Sequence, residues 1–339
     1  MMKAVPVHES IGSVLCHDMT RIVPGEFKGP AFRKGHVISP EDIPTLLEIG
    51  KEHVYVLSLE DGQLHEDDAA ARIAAAAAGP GISLSDVCEG RINMTAAPGL
   101  LSINVDALRR INSIEEVVLA TMHNGLQVSA PRAVAGTRVV PLVIDEAKIE
   151  QVEAICAETG PVVSVKPFRQ LKVGVVTTGS EVYTGRIKDK FGPVIRKKFA
   201  ALNSEVMDQT FVSDDPDMTR DAILAQVSAG AQMVVVTGGM SVDPDDQTPA
   251  SIRATGAEVV TYGSPTFPGV MFLLAYLGDV PIVGLPGCVM YYRASIFDLV
   301  VPRIVADETP TREDIVELGH GGFCAGCETC RYPLCSFGK

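Results

Sequence analysis

From residue 173 onward, short apolar, β-branched runs alternate with helix-patterned stretches, and nothing else in the chain restricts its fold so tightly. Residues 173–177, 206–212, 233–237, 258–262 and 281–285 read as strands, and 193–204, 216–229, 249–255 and 290–305 read as helices. Such alternation predicts βαβ crossovers, which set parallel strands side by side and cover both faces with helices. The expected architecture is a three-layer α/β domain with a mostly parallel sheet. Four strand ends run into polar turns: Thr178-Gly179-Ser180-Glu181, Ser213-Asp214-Asp215, Gly238-Gly239-Met240-Ser241 and Pro286-Gly287. In a parallel sheet all carboxyl ends lie on one rim, so these turns are expected to converge into a small-molecule site.

The third turn is the richest, because Thr237-Gly-Gly-Met-Ser-Val-Asp-Pro-Asp-Asp-Gln-Thr-Pro-Ala250 follows four apolar residues. Thr248 is placed to cap the next helix and Pro249 to open it, which holds Asp245 and Asp246 just ahead of a helix amino terminus. Gly179, Gly238 and Gly239 let backbone N–H groups approach an anion, and helix amino termini favour one, so the rim suits a phosphate. No lysine-bearing phosphate loop is present, and no G-x-G-x-x-G follows the first strand. The carboxylates Glu181, Asp214, Asp215, Asp243, Asp245 and Asp246 would repel a bare anion. They call for Mg²⁺ bridging phosphate groups, or for a ring such as a pterin whose adjacent N–H donors meet a carboxylate. The competing role for each aspartate is a helix cap or turn, and Asp215 and Asp243 suit that best.

Lys172-Val-Gly-Val-Val-Thr-Thr-Gly-Ser-Glu181, Val212-Ser-Asp214, the 237–249 segment and Leu285-Pro-Gly287 resemble, in order and spacing, the molybdopterin-binding domain of molybdenum-cofactor biosynthesis proteins. Gephyrin, the molybdopterin adenylyltransferases and the molybdopterin molybdenumtransferases share that domain. The resemblance covers about residues 171–305. It implies that Thr178, Gly179, Ser180, Glu181, Thr237, Gly238, Gly239, Met240, Ser241, Pro286 and Gly287 bind the cofactor, with Asp246 and Asp214 in the chemistry. It further implies molybdopterin or adenylated molybdopterin, molybdate and Mg²⁺ as ligands, a molybdenumtransferase or adenylyltransferase activity, and a homo-oligomer. Of three departures from the family, the altered Pro286-Gly287 loop and the missing amino-terminal motif favour an alternative, a non-catalytic carrier or sensor that delivers cofactor to a molybdoenzyme or another assembly protein. Pro286-Gly287 continues into Cys288-Val289-Met290 where the family has Asn-Pro or Ser-Pro. The transferases' amino-terminal Ser-Ala-Met-Asp-Gly-Tyr stretch has no counterpart at residues 21–27, and their small carboxyl-terminal β domain is replaced by a short tail. A third reading is an unrelated nucleotide-dependent enzyme using the same rim.

The tail, Cys324-Ala-Gly-Cys327-Glu-Thr-Cys330-Arg-Tyr-Pro-Leu-Cys335, makes a Zn²⁺ or Fe–S site of Cys324, Cys327, Cys330 and Cys335 the leading expectation. A flexible thiol tail that docks a partner or hands over metal is the alternative. His320, just before it, could join such a ligand set, whereas the other six histidines show no ligand spacing and read as structural. Cys16, Cys88 and Cys156 stand alone and read as small buried hydrophobes.

Residues 1–165 have a different texture and read as a mixed α+β domain. Helices are expected at 40–50, at the alanine-rich 69–78, at 105–110 and at 113–121, strands over 130–144 with a turn at Ala135-Gly136, and an extended connection at 161–168. Three parts follow: 1–165, 171–308 and a tail over 309–339. The net charge of −13 argues against nucleic-acid or anionic-membrane partners, and Arg196-Lys197-Lys198 reads as a solvated helix face. The longest apolar stretch, 270–277, is broken by Gly278-Asp279, far short of the roughly 20 residues that span a bilayer. With no apolar signal core in residues 1–10, a cytoplasmic location is expected.

Overall fold

The computed structural model describes residues 2–23, 27–57, 61–244 and 246–339. The chain divides into two compact units, one of residues 1–97, 102–122 and 131–165 and the other of 98–101, 123–130 and 166–339. The second unit is built on a six-stranded sheet of β1 (Lys172–Thr178), β2 (Glu205–Val212), β3 (Met233–Thr237), β4 (Glu258–Tyr262), β5 (Leu273–Leu277) and β6 (Val280–Leu285). Their spatial order is β2-β1-β3-β6-β5-β4. β2, β1, β3 and β6 are parallel neighbours, whereas β5 and β4 close one side antiparallel.

Helices α1 (Phe191–Ala200), α2 (Pro216–Ser228) and α3 (Thr248–Ala254) follow β1, β2 and β3, and α4 (Ile296–Val305) and α5 (Arg312–Glu317) come after β6. Successive strand residues point to opposite faces, so each apolar run feeds two cores. Val173, Val175, Met233, Val235 and Val283 pack with Ile195 and Phe199 of α1 and Phe297 and Val300 of α4. Val176, Val234, Val236 and Ile282 pack on the other face with Ile223 of α2 and Ile252 of α3. The result is the three-layer, mostly parallel arrangement read from the sequence.

Two elements differ from expectation. β5 lies in the stretch noted only for its apolar character; it forms a hairpin with β6 through Gly278-Asp279, a two-residue loop whose glycine has a φ of +58°. The helix expected over 290–305 is split into a single turn, Cys288–Tyr291, and α4, because Ser295 and Asp298 form a capping box that starts a new helix.

The first unit is mixed α+β. Strands Ile82–Leu84, Arg91–Ala96, Arg132–Val139 and Val117–Thr121 form an antiparallel sheet in that order. The alanine-rich helix Glu66–Ala77 buries Ala69, Ala70, Ala74 and Ala77, small side chains that let it lie against the helix Glu146–Thr159 and the strand Arg132–Val139. Nearer the amino terminus, Val7, Leu15, Met19, Ile38, Leu46 and Val54 make a separate small core. The helix expected over 113–121 is instead the strand Val117–Thr121, its β-branched pair outweighing the helical spacing. Ala135-Gly136 is no turn: it lies in one continuous strand with a bulge between Ala133 and Ala135. The connection at 161–168 contains a short strand, Val163–Lys166. Among the described residues no helix is long and apolar enough to cross a membrane.

Candidate functional site

β1, β2, β3 and β6 end on one edge of the sheet, and their four turns meet there because the strands are parallel neighbours. A polar chain beneath that rim holds the first three strand ends. Thr237 Oγ1 donates to Thr177 Oγ1 at 3.1 Å, and Gln209 Nε2 donates to the same oxygen at 3.0 Å and to Asp189 Oδ2 at 2.8 Å. Asp189 in turn accepts from the N–H groups of Phe191 (2.8 Å) and Gly192 (2.9 Å), satisfying donors at the start of α1. Thr237 and Thr177 are buried, so Thr237 sits under the rim and supports it.

Thr178, the next residue along β1, differs. It is 6% exposed, yet among the described residues its buried hydroxyl has no hydrogen-bond partner, an arrangement that costs about 1–3 kcal/mol. Gly238 and Gly239 pass directly over it with φ of +87° and +56°. A Cβ on Gly238 would stand 2.3 Å from the Thr178 carbonyl oxygen and 2.7 Å from its Oγ1, and one on Gly239 would stand 3.1 Å from that Oγ1. Only glycine permits both the left-handed backbone and the approach. Thr248 was expected to cap α3; instead its buried hydroxyl donates to Gly238 O at 2.8 Å and its N–H to Gly239 O at 3.1 Å. The carbonyls of the glycine turn need donors, and Thr248 supplies two.

The carboxylates are distributed among caps and turns. Asp214 Oδ2 accepts from the Ser180 N–H at 2.8 Å, tying the β2 turn to the β1 turn. Asp215 caps α2, accepting from the Met218 N–H at 2.8 Å. Asp246 Oδ2 accepts from the Asp243 N–H at 3.0 Å and so closes its own loop; Asp245 lies outside the described residues. Glu181 is exposed, with Oε1 3.1 Å from where a Cβ on Gly179 would stand, and Ser180 and Ser241 are exposed. Met240 buries its side chain against Gly284, leaving its backbone for the rim. Pro286 is buried and Gly287 exposed; burial pushes the following Cys288 thiol up and keeps it protonated at neutral pH. Among the described residues no three of His, Cys, Asp and Glu come together to hold a metal ion, so these carboxylates make no ready nest for the expected Mg²⁺.

The same holds for Cys324, Cys327, Cys330 and Cys335, which are free thiols and are not gathered. Hydrogen bonds and ring packing anchor this segment, so it is not the free tail of the alternative expectation. Phe267 N–H donates to Gly322 O at 2.7 Å, Cys324 N–H to Phe267 O at 2.8 Å, and the Tyr332 hydroxyl to Asp298 O at 2.7 Å. Phe337 is buried, its ring 6.2 Å from that of Tyr332. His320 is exposed.

A groove of about 900 Å³ was not foreseen. The fourth turn runs into it at Met290, Tyr291, Tyr292 and Arg293, and Lys197 of α1 and Tyr332 of the tail face it. The basic run of α1 is only partly solvated: Lys198 Nζ is paired with both Asp298 oxygens, at 2.7 and 2.8 Å, and donates to Arg293 O. The adjacent Tyr291-Tyr292-Arg293 was the available sequence signal. For Asp189 it was an aspartate two residues ahead of a helix start.

Residues 174–306 match a family model described as a probable molybdopterin binding domain, and residues 4–58 match one described as a domain of unknown function. The molybdopterin molybdenumtransferase of Haemophilus influenzae is 31% identical over 150 residues, which cover 42% of this chain and 37% of that protein. A CinA-like protein of Mycobacterium sp. strain MCS is 32% identical over 90 residues, covering 26% of this chain and 21% of its own. The chain thus spans well under half the length of these relatives. Among solved structures, the molybdopterin biosynthesis enzyme MoaB of Thermus thermophilus has a TM-score of 0.34 at 19% identity, covering 41% of this chain and 98% of that one.

Proposed function

We propose, from the premise that residues 174–306 are a domain of the molybdopterin-binding type, that this chain binds molybdopterin on the rim and serves molybdenum-cofactor assembly as a molybdenumtransferase-like enzyme. The observation that carries the reading is the Thr178 hydroxyl, buried without a partner beneath the glycine pair that closes over it. A phosphate oxygen would satisfy that donor once the glycine turn shifts, and the backbone N–H groups from Gly238 to Ser241 would hold the rest of the phosphate; those of Gly179 and Ser180 donate to Val212 O and Asp214 Oδ2 and would join only on release from them. The pterin's N–H edge would meet a carboxylate of the rim. Asp214 would keep the first two turns in register, and Asp246 would turn from its own loop toward the bound species. No step is assigned to Mg²⁺, since the described carboxylates do not converge on a metal position.

Anaerobic incubation of the chain with adenylated molybdopterin, Mg²⁺ and molybdate, following the pterin species by chromatography, tests this. Conversion by the wild type that is lost in Asp246→Asn, with pterin binding retained, is the expected result; full turnover by D246N would remove Asp246 from the chemistry. A second reading, a carrier or sensor that retains the pterin unchanged, has its own support. Both aspartates are already satisfied within the protein, Asp214 by Ser180 and Asp246 by Asp243. Tight binding without conversion would select it.

A further inference from the structure

The glycine pair over Thr178 is a short span between two fixed points. On one side Thr237 is buried in β3 and paired with β1 and β6. On the other, the Met240 side chain is 3% exposed and packs in the core, its Sδ 2.7 Å from where a Cβ on Gly284 would stand. Between them Gly238 and Gly239 hold φ of +87° and +56°. Glycine reaches either sign of φ at little cost, so the peptide joining the pair can rotate while both anchors stay in place. Thr248 holds it down: its hydroxyl donates to Gly238 O at 2.8 Å and its N–H to Gly239 O at 3.1 Å.

Closure works against one buried group. The Thr178 hydroxyl beneath the pair has no hydrogen-bond partner among the described residues, whereas an open turn would give it water or a ligand oxygen. Two opposed contributions therefore act on the same two glycines. The Thr248 donors favour the closed turn, and the orphaned Thr178 hydroxyl disfavours it. Such a balance makes a local opening cheap compared with unfolding of the sheet that carries it. The structure also supplies a reporter of that opening. At the first position of α3 the Thr248 N–H has no acceptor within the helix, so its protection from solvent exchange depends on Gly239 O, while the Ser251 N–H donates to Gln247 O at 3.0 Å and reports on the helix itself.

We propose that Gly238-Gly239 is a gate over the Thr178 donor, latched by Thr248, and that the phosphate of molybdopterin enters when the latch lets go. Entry of molybdopterin rests on the function proposed above; the gate itself does not. Native-state amide exchange of the full chain without ligand tests the gate, because exchange follows the population of the open form. Thr178→Val removes the opposing hydroxyl and should slow exchange at the residue-248 amide by about fivefold or more. Thr248→Val removes one latch donor and should speed it by about three- to tenfold, after correction for the intrinsic rate of the new residue. The Ser251 amide should not move in either variant. Unchanged exchange at residue 248 in T178V overturns the gate, and so do residues 248 and 251 moving together, the sign of a fraying helix. Should T248V fail to fold, T178V decides, since it keeps the shape of the side chain. Stopped-flow binding of molybdopterin separates the two readings. Faster association with T248V is expected; association no faster than wild type would remove the gate from ligand entry. A wild type that binds no molybdopterin would refute the ligand, and with it entry through the gate, while exchange still judges the gate.

Discussion

Gly238→Ala isolates the feature on which the rim depends. Two costs apply: an L-residue at φ +87° loses about 1–2 kcal/mol, and a Cβ 2.3 Å from the Thr178 carbonyl oxygen forces a backbone shift worth about 1–3 kcal/mol. The carbonyl is main chain and belongs to a strand paired on both sides, so it cannot swing aside as a long side chain would. A total near 3 kcal/mol, at roughly 2–4 °C per kcal/mol for a unit of this size, lowers the melting temperature by about 6–12 °C. Gly230→Ala is the control: its φ is +93° but nothing lies within 4 Å of its Cβ position, so only the first cost applies, about 2–8 °C. Differential scanning calorimetry is the assay, because two units can melt separately. If G238A melts no lower than G230A, the close approach of the β3 turn to Thr178 carries no energy and the packing argument fails.

Other perturbations separate structural from ligand-binding roles. Thr178→Val removes an unpaired buried hydroxyl at nearly constant shape, so thermal stability of the free protein should hold or rise by about 1 kcal/mol while pterin affinity falls, read by calorimetry and by equilibrium binding. Phe199→Ala deletes a buried ring that meets Phe297 edge-on at 5.3 Å; urea unfolding should show a loss of about 3–5 kcal/mol. Burial raises Glu308 and Asp314, but hydrogen bonds from Lys166 and Arg303 to the first, and from Thr311 and Arg303 to the second, outweigh it and leave both below their usual values. Their contribution is therefore present above the unfolded carboxylate range near pH 4 and lost as pH falls through the lower folded values. Arg303→Met should flatten that acid decline in a melting-temperature profile; an unchanged slope would show that the pairing does not stabilise the fold.

How far the chain could be read in advance follows from how local each signal is. β1, β3 and β6 were legible because a strand buried on both faces is a continuous apolar run, whereas the edge strand β2 is buried only at Val212; Gly or Asp closes each of the four within the same few residues. Parallel topology then placed four turns on one rim with no knowledge of any contact. Side-chain partners are a different matter, since they join residues far apart in sequence. Thr248 looked like a helix cap from its neighbours, yet its hydroxyl goes to Gly238 O, ten residues back. Lys198 looked like part of a solvated basic run, yet it pairs with Asp298, one hundred residues away. The tail thiols carried the strongest local pattern and pointed to metal, whereas Tyr332 and Phe337, ordinary in sequence, are what dock that segment. Ligand-site inference from this sequence therefore rests most securely on backbone devices. The glycines at 238 and 239 are the case in point: their need is set by strand geometry, and the unpaired Thr178 hydroxyl beneath them marks where a ligand atom would complete the site.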